Sequence, residues 1–441
     1  MATAKEDCGT SSRKKQCKAF TWCIFICSLA AILFIFYEYH FSRSNGTKDL
    51  IITSMDKDHL KVVNTFVEKF REEGKHYSKD SSLWKKMSAM VKTKSNDQYK
   101  LLLVYTGFFG HFPWGWLRDT TALNHWDGMT CPHYHCTLTY DKKDFKKADA
   151  VIFHAQDMVS RSELNALQLS RTANQRWIFF PTESPQNIPE SHMINGLFNW
   201  TMSYRRDSDI FRPYGYFYPR SSKRTKEEKD AFLEYLESKD LLVVWLCSHA
   251  GALRDKYVRR LRTLIKIYVY GKTGARVGGT SGKCLQDSPD CKKHLKRFKF
   301  FLAFENSFCT DYITEKYWFC LQMGIVPVVM GGAEYDKIAI PGSYINVKDF
   351  PTIKALADYL QHLDLNDKEY NKYFEWKEKY KVVIDAPWTC QLCARLNIDH
   401  KRKVYNDLED YWGAAQQCGI KEDIIKKIIA KQPWGKTSMS S

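Results

Sequence analysis

The sequence is short of acidic residues. Its 441 residues include 50 Asp and Glu against 67 Lys and Arg, which gives a formal net charge of +17. A surplus of this size favours anionic partners, namely nucleic acid, a membrane surface or a phosphorylated substrate. The composition is otherwise that of a globular protein, 44% hydrophobic and 15% aromatic. The length suggests two or three domains, and no internal repeat divides them.

The sequence also lacks a second CxxC motif. "CQLC" carries Cys390 and Cys393, and His400 lies at the wrong spacing to complete a zinc finger. Another pair, Cys131 and Cys136, bounds the stretch "CPHYHC". Redox and metal roles stay open for these motifs, but in an oxidising compartment cysteines largely pair. We therefore expect structural disulfides, with a connectivity that the sequence does not reveal.

A cleavage site is missing after the apolar run near the N-terminus. Residues 19–37 are uncharged and match the hydrocarbon thickness of a bilayer. The basic stretch 13–18 precedes the run, which predicts an uncleaved anchor with its N-terminus in the cytosol. The alternative is a buried core helix. We expect a cytosolic tail at 1–18 and a charged stem at 38–97, with the stem and the rest of the chain across the membrane.

Two N-glycosylation sequons fit this lumenal location. They are "NGT" at Asn45 and "NWT" at Asn199, and each is a weak signal alone because sequons also occur by chance. A lumenal location removes nucleic acid from the partners that the charge favours. Nucleotide-sugars and anionic lipid surfaces remain.

Two series of alternating strand and helix patterns follow the stem. The first fills 98–219, the second fills 220–350 after a charged junction, and helices with a cysteine-bearing tail occupy 351–441. The predicted strands are short apolar runs closed by polar residues or proline, typical of parallel strands covered on both faces; they span 100–109, 148–155, 176–184, 241–248, 267–271, 298–305, 325–332 and 343–350. We predict an α/β protein with two doubly wound, Rossmann-like domains facing a cleft, and ligands at the carboxyl ends of the strands.

One strand end carries unusual charge. "FKFFLAF" is followed by "ENSFCTDYITEK", and a helix is predicted over 314–324 with Thr314 as N-cap and Gly324 as its stop. Lys316 falls in the first turn, where the helix dipole disfavours a cation. An anion held there would explain Lys316, so we predict a phosphate site, with Glu315 accepting hydrogen bonds from a ribose or base. The alternative is a surface helix start with an ordinary Glu–Lys pair.

Two further residues follow predicted strands. Arg254 begins the helix after strand 241–248 and could grip a diphosphate bidentately, although it could equally belong to a solvated arginine face. Glu183 lies at the end of strand 176–184, where neighbouring prolines fix the backbone. A carboxylate at this position suits a general base, and the alternative is a solvated turn glutamate.

Longer stretches resemble the α1,3-fucosyltransferase family, in the same order, from about residue 100 to about 412. They are "ADAVIFHAQDM", "FFPTESPQN", "LFNWTMSYRRDSDIFRPYG" and "FFLAFENSFCTDYITEKYWFCLQMGIVPVVMGG". The resemblance implies a GT-B fold, GDP-fucose as donor, inversion at the fucose anomeric carbon and residence in the Golgi. It implies Glu183 as the catalytic base. It also implies a set of donor contacts: Arg254, Asn306, Tyr312, Glu315 and Lys316. His249 departs from the family pattern, in which serine-asparagine is common before this loop.

The resemblance implies transfer to the 3-hydroxyl of an N-acetylglucosamine but leaves the acceptor open, since a core N-glycan sugar and an outer N-acetyllactosamine both fit. It demands no metal, while stimulation by Mn²⁺ and a homodimer stay open. Glu305 and Asp311 are expected to act as hydrogen-bond acceptors in their loop. Two alternatives remain. One is a metal-dependent, GT-A-like transferase that uses Asp207 and Asp209, and the other is an inactive, membrane-tethered glycan-binding protein.

Overall fold

The computed structural model describes residues 99–431 apart from short internal gaps. The predicted tail, anchor and stem, together with Asn45, lie outside the described residues. Within 99–431, no described helix is long and apolar enough to cross a membrane. The gaps fall at 118–119, 127–128, 132–134, 189–190, 221, 250, 273, 278–283, 285–287 and 385.

The strands occur in two groups along the chain, as the sequence predicts. They are β1 (Lys100–Val104), β2 (His125–Trp126), β3 (Met129–Thr130), β4 (Cys136–Thr139), β5 (Ala150–His154), β6 (Arg176–Phe180), β7 (Trp200–Ser203), β8 (Ile210–Phe211), β9 (Tyr216–Pro219), β10 (Leu241–Leu246), β11 (Ile267–Tyr270), β12 (Phe298–Phe304), β13 (Val326–Met330), β14 (Ile345–Asn346) and β15 (Tyr380–Val383).

Two parallel sheets form the core of the described chain. The first has the order β4-β1-β5-β6-β7-β8, and the second has the order β11-β10-β12-β13-β14. Every neighbouring pair in both sheets is parallel. Strands β5, β6, β12 and β13 are buried along their whole length, because each sheet is covered on both faces. The predicted α/β class with two parallel sheets is confirmed.

Helices connect and cover the strands. They are α1 (Thr121–Asn124), α2 (Arg161–Ser170), α3 (Lys226–Glu237), α4 (Ala252–Leu261), α5 (Pro289–Leu295), α6 (Glu315–Met323), α7 (Tyr335–Ile338), α8 (Ile353–Asp364), α9 (Asp367–Lys372), α10 (Trp388–Ile398), α11 (Leu408–Trp412), α12 (Ala414–Gln417) and α13 (Glu422–Ala430). Helix α6 ends at Gly324, whose φ of 62° is the left-handed stop that the sequence predicts. Helix α3 begins with a capping box between Thr225 and Glu228.

The chain crosses between the two sheets twice. Strand β9 leaves the first sheet region and pairs antiparallel with β15, which returns from the second. Helix α10 then packs Trp388 and Leu392 into the same apolar cluster as Leu102 and Ile152 of the first sheet. The C-terminal part of the sequence therefore completes the core of the N-terminal part.

Disulfides fix this return. Cys390 and Cys393 of "CQLC" do not pair with each other but bind Cys131 and Cys136 respectively. The expected structural disulfides are thus present, each joining residues more than 250 positions apart. Two other bridges, Cys309–Cys418 and Cys284–Cys291, had no sequence signal of their own.

The prediction of a glycan on Asn199 is wrong for the folded chain. Asn199 is only 6% exposed. Its amide nitrogen donates to the Lys403 carbonyl at 2.8 Å, and its Oδ1 accepts from the Trp177 backbone N–H at 2.8 Å. Both atoms of the amide hold β6 and the C-terminal segment together, so no glycan fits on the nitrogen.

The two unpredicted disulfides offer a matched test of loop closure. Cys309–Cys418 spans 109 residues and Cys284–Cys291 spans 7. Chain entropy predicts a loss of about 5 kcal/mol of unfolding free energy for Cys309→Ser with Cys418→Ser, and about 2 kcal/mol for Cys284→Ser with Cys291→Ser. Denaturant unfolding of the two double variants measures both losses. Equal losses would show that the cross-links do not act through loop closure.

Candidate active site

One cavity lies where strands of both sheets end. Its volume is 860 Å³, and its lining comes from the carboxyl ends of β6, β10, β11 and β12 and from the loops that follow them. This is where parallel α/β sheets bind ligands. The cavity brings together all the predicted catalytic and donor residues: Glu183, Arg254, Asn306, Tyr312, Glu315 and Lys316.

Glu183 is held by neighbours from both halves of the chain. Its Oε2 accepts hydrogen bonds from Asn187 Nδ2 at 2.9 Å and from Tyr312 Oη at 3.3 Å. The next residue, Ser184, donates its hydroxyl to Ser307 Oγ at 2.7 Å across the two halves. Burial holds the pKa of Tyr312 well above its ordinary value, so its phenol stays protonated and donates. The second carboxylate oxygen, Oε1, has no partner among the described residues, so it is available to accept a proton.

Tyr312 therefore has a different first contact from the predicted one. The resemblance implies a donor contact, whereas its hydroxyl lies against the candidate base. The residue still lines the cavity. The loop that presents it is fixed by Asp311, which adopts a φ of 56° and pairs with Arg206 at 3.0 Å. The expected acceptor role of Asp311 is confirmed.

Glu305 organises the loop before α6. Its side chain is fully buried and accepts from both the backbone N–H and the hydroxyl of Thr314, each at 2.8 Å. The expected acceptor role of Glu305 is confirmed. Thr314 is the N-cap residue of α6, as predicted, but its hydroxyl is turned toward Glu305 and makes no cap hydrogen bond. Burial raises the pKa of Glu305, and the charge of Lys316 opposes that rise.

Lys316 forms a compact ionic cluster at the start of α6. Its Nζ lies 3.3 Å from Glu305 Oε2, 3.2 Å from Glu315 Oε1 and 2.6 Å from Thr314 Oγ1. Burial acts to lower the pKa of Lys316, but the carboxylates of Glu305 and Glu315 outweigh it and raise that pKa. Lys316 is therefore charged. Its ion pair with Glu305 explains a lysine at this position independently of the predicted bound anion.

Arg254 is the second cation of the cavity and is 5% exposed. It lies in the first turn of α4 and donates to the carbonyls of Phe304, at 3.2 Å, and His249. Its Nε has no hydrogen-bond partner, and no carboxylate pairs with it, among the described residues. The neighbouring Asn306 Oδ1 is likewise buried without a described partner. A buried guanidinium without a counter-charge is costly unless an anion binds there.

A third cation faces the cavity from the first half. The guanidinium of Arg212 lies 5.0 Å from the ring centre of Trp116, 4.9 Å from that of Phe180 and 5.6 Å from that of Trp388. Trp116 is one of several half-exposed aromatic residues near the mouth, with Phe109 and Phe112. Aromatic faces of this kind suit the apolar face of a sugar ring.

The residues of the metal-dependent alternative lie elsewhere. Asp209 is buried, accepts from the Thr201 N–H at 2.9 Å, and pairs with Lys403 at 2.6 Å and Arg395 at 3.3 Å. Asp207 pairs with Arg205. Neither aspartate lines the cavity, so both have structural contacts in place of the predicted alternative role. In the described part of the chain, no group of three or more His, Cys, Asp or Glu residues could hold a metal ion.

Several residues of this site escaped the sequence analysis. His154 is the last residue of β5, and Glu183 lies just after the end of β6. The reasoning that selects polar residues at the carboxyl ends of strands therefore applies to His154 as well. Tyr214 and Arg212 lie outside any predicted strand end. The predicted strand 100–109 runs into the aromatic turn at Phe108–His111, whereas β1 stops at Val104.

The comparisons with known proteins place the chain in a family. The model "Fucosyltransferase, N-terminal" matches residues 97–215, and "Glycosyltransferase family 10 (fucosyltransferase) C-term" matches 236–412. Alpha-(1,3)-fucosyltransferase C of Drosophila melanogaster is 31% identical over 341 residues, which cover 71% of this chain and 77% of that relative. The chain belongs to glycosyltransferase family 10, the fucosyltransferases. The predicted family and class of enzyme are confirmed.

Other fucosyltransferases are also similar to the chain. Alpha-(1,3)-fucosyltransferase 7 of Mus musculus is 34% identical and covers 65% of this chain and 72% of its own length. The 4-galactosyl-N-acetylglucosaminide 3-alpha-L-fucosyltransferase FUT5 of Homo sapiens is 37% identical, with 64% and 72% covered. A crystal structure of an alpha1,3-fucosyltransferase with GDP-fucose is 16% identical, with a TM-score of 0.44 over 72% of this chain and 98% of that one.

Proposed function

We propose that the chain transfers L-fucose from GDP-β-L-fucose to the 3-hydroxyl of an N-acetylglucosamine in a glycan, with inversion at the fucose anomeric carbon. The observation that carries the proposal is the cavity that holds a carboxylate of one half, Glu183, and two cations of the other, the buried Arg254 and the partly buried Lys316. In a GT-B arrangement, the acceptor and the nucleotide-sugar meet in such a cleft. The names of the relatives, all of them 3-alpha-fucosyltransferases, support fucose as the transferred sugar and the linkage.

Glu183 is the proposed general base. Its Oε2 is held by Asn187 and Tyr312, and its Oε1 accepts the proton of the attacking hydroxyl. Attack from the side of Glu183 leaves GDP departing toward the other half, which gives inversion in a single displacement. As in other inverting sugar chemistry, positive charge grows on the fucose ring while carboxylate help comes from the attacking face.

The cations of the second half meet the charge on the leaving diphosphate. Two N–H groups of Arg254 donate to backbone carbonyls, and its remaining N–H groups can donate to the diphosphate. Lys316 contributes a compact positive charge at the start of α6. Charge that grows on the diphosphate in the transition state is stabilised by groups already in place. Asn306 and Glu315 are proposed to contact the donor beside them. In this proposal the protein cations do the work that a divalent metal does in the GT-A alternative.

The location of the enzyme is a separate proposal. The basic stretch 13–18 followed by the apolar run 19–37 supports a signal anchor in the Golgi membrane with the catalytic part in the lumen. The four disulfides of the described chain require an oxidising compartment, which supports the same location.

A transfer assay tests the function and names the acceptor class. The chain is incubated with GDP-fucose and either a core N-glycan glycopeptide or N-acetyllactosamine, and the linkage in the product is determined. We expect an α1,3-fucosyl N-acetylglucosamine product with one of the two acceptors. Glycan binding without transfer to either would favour the inactive glycan-binding alternative.

Glu183→Gln is expected to separate chemistry from donor binding. The amide keeps the size of the side chain but cannot accept the proton, so kcat should fall by about 10²- to 10⁴-fold. The dissociation constant of GDP, measured by calorimetry, should stay at its wild-type value. Glu234→Gln, an exposed change on α3, serves as the control. Near wild-type turnover of Glu183→Gln would remove Glu183 as the base.

Lys316→Ala is expected to weaken GDP binding. A hydrogen bond to a charged group contributes about 1.5–3 kcal/mol, so the dissociation constant should rise about 10- to 100-fold. Lys316→Arg, which keeps the charge beside Glu305, should recover part of this loss. Lys226→Ala, an exposed change on α3, is the matched control. An unchanged dissociation constant in Lys316→Ala would place Lys316 outside the donor site.

A further inference from the structure

A buried histidine joins two parts of the cavity wall that are far apart in sequence. The His154 ring is completely buried at the end of β5. Its Nδ1 lies 2.6 Å from Asp157 Oδ2, and its Nε2 lies 3.0 Å from the hydroxyl of Thr182, the residue before Glu183. The ring therefore connects the strand end that carries Glu183 with the segment that carries Asp157.

Asp157 in turn holds the aromatic turn. Its two oxygens accept the backbone N–H groups of Phe109, at 2.7 Å, and Gly110, at 2.6 Å. Both residues have positive φ values, 49° and 78°, and such a conformation is unusual for phenylalanine. Reciprocal backbone hydrogen bonds between Phe108 and His111 close the turn. The Asp157 carboxylate thus stabilises a backbone shape that the sequence alone disfavours.

The direction of the hydrogen bonds follows from the protonation of the pair. Burial lowers the pKa of His154, so the ring is neutral. Burial acts to raise the pKa of Asp157, but the N–H groups of Gly110 and Phe109 and the His154 ring together lower it, so Asp157 is a carboxylate. His154 Nδ1–H then donates to Asp157, which leaves Nε2 free to accept from the Thr182 hydroxyl at 3.0 Å. The same hydroxyl also lies 3.3 Å from Gln156 Oε1.

The aromatic turn and the strand end meet at the same cavity. Phe108 and Phe109 line it from the turn, and Thr182 and Glu183 line it from the strand end. The ring centres of Phe108 and Phe109 lie 4.6 and 4.9 Å from that of His154, so the ring is also packed against the turn it helps to hold. Phe109 is half-exposed toward solvent.

We propose that His154 is a positioning residue that, with Asp157, fixes the aromatic turn at Phe108–His111 relative to Glu183. The turn then presents an aromatic surface to the acceptor sugar, and the hydroxyl of that sugar meets the base at a set distance. Precise placement of two reacting groups is a large part of enzymatic rate, and a shift of about 1 Å costs roughly 100-fold. The inference rests on the proposed function and adds to it a residue that does not touch the reacting atoms.

The kinetic test compares His154→Gln with Asp157→Asn. Each should lower kcat/KM for the acceptor by about 10- to 100-fold, while the dissociation constant of GDP stays at the wild-type value. Because the two residues act as one link, the double variant should be no worse than the more damaged single one. His192→Gln, the same change at an exposed position, is the control. Additive losses, a raised GDP dissociation constant or wild-type kinetics would overturn the proposal.

A second measurement needs no substrate and no activity. Hydrogen exchange of the Phe109 and Gly110 amides should be at least tenfold faster in His154→Gln and Asp157→Asn than in the wild-type chain, and unchanged in His192→Gln. Unchanged exchange in both variants would overturn the link even if fucosyl transfer were absent. Failure of wild-type transfer with fast exchange in the variants would instead count against the proposed function alone.

Thr182→Val covers the case in which a His154 variant does not fold. Valine has the shape of threonine and removes the hydroxyl, which contacts His154 Nε2 at 3.0 Å and Gln156 Oε1 at 3.3 Å. We expect kcat/KM for the acceptor to fall about tenfold, while exchange of Phe109 and Gly110 stays slow because Asp157 still holds the turn. Wild-type kinetics in Thr182→Val would show that His154 does not act on the strand end of Glu183.

Discussion

The buried carboxylate of Glu305 is the contact on which the second half of the cavity depends. Glu305 directly follows β12, the longest strand that is buried along its whole length. Without hydrogen-bond partners, a carboxylate in these apolar surroundings would be costly in free energy. Two hydrogen bonds from Thr314 and one from Lys316 satisfy it, and each of them also sets the position of a cavity element. The loop from 305 to 314 and the first turn of α6 are thereby fixed together. The cation proposed to meet the diphosphate is held in place by an acid that the cavity itself does not expose.

Much of the fold could be predicted because buried parallel strands leave a plain pattern. Strands β5, β6, β12 and β13 are continuous apolar runs, and their ends mark the cavity. Strand β7 was missed because it is short and carries the polar residues Thr201 and Ser203, and β8 was missed because it has only two residues. The predicted end of β1 lies too far along the chain, because Phe108 and Phe109 belong to a turn. The shape of that turn depends on Asp157, 48 residues from Phe109.

The candidate site could be predicted only as far as local signals reach. Glu183, Arg254 and Lys316 follow strands or begin helices, and their neighbours in sequence point to a role. Tyr312 and Glu183 are 129 residues apart in the sequence, and no local pattern predicts their contact. At Asn199 a local signal is present but misleads. The sequon predicts a glycan, but it carries no information about the C-terminal segment that covers Asn199 in the fold. The pairing of Cys390 and Cys393 with Cys131 and Cys136 depends on how α10 packs against the first sheet. Local sequence does not reveal this packing.

That return has a consequence for the order of assembly in the cell. Cys131 and Cys136 leave the ribosome more than 250 residues before their partners in α10. At about 5–20 residues per second, their thiols wait roughly 13 to 52 s while the cysteines of the second half are synthesised. Cys284 and Cys291, only 7 residues apart, can close at once. The first half of the chain therefore cannot complete its own disulfides until the last helices arrive, although its sheet is the first to be made.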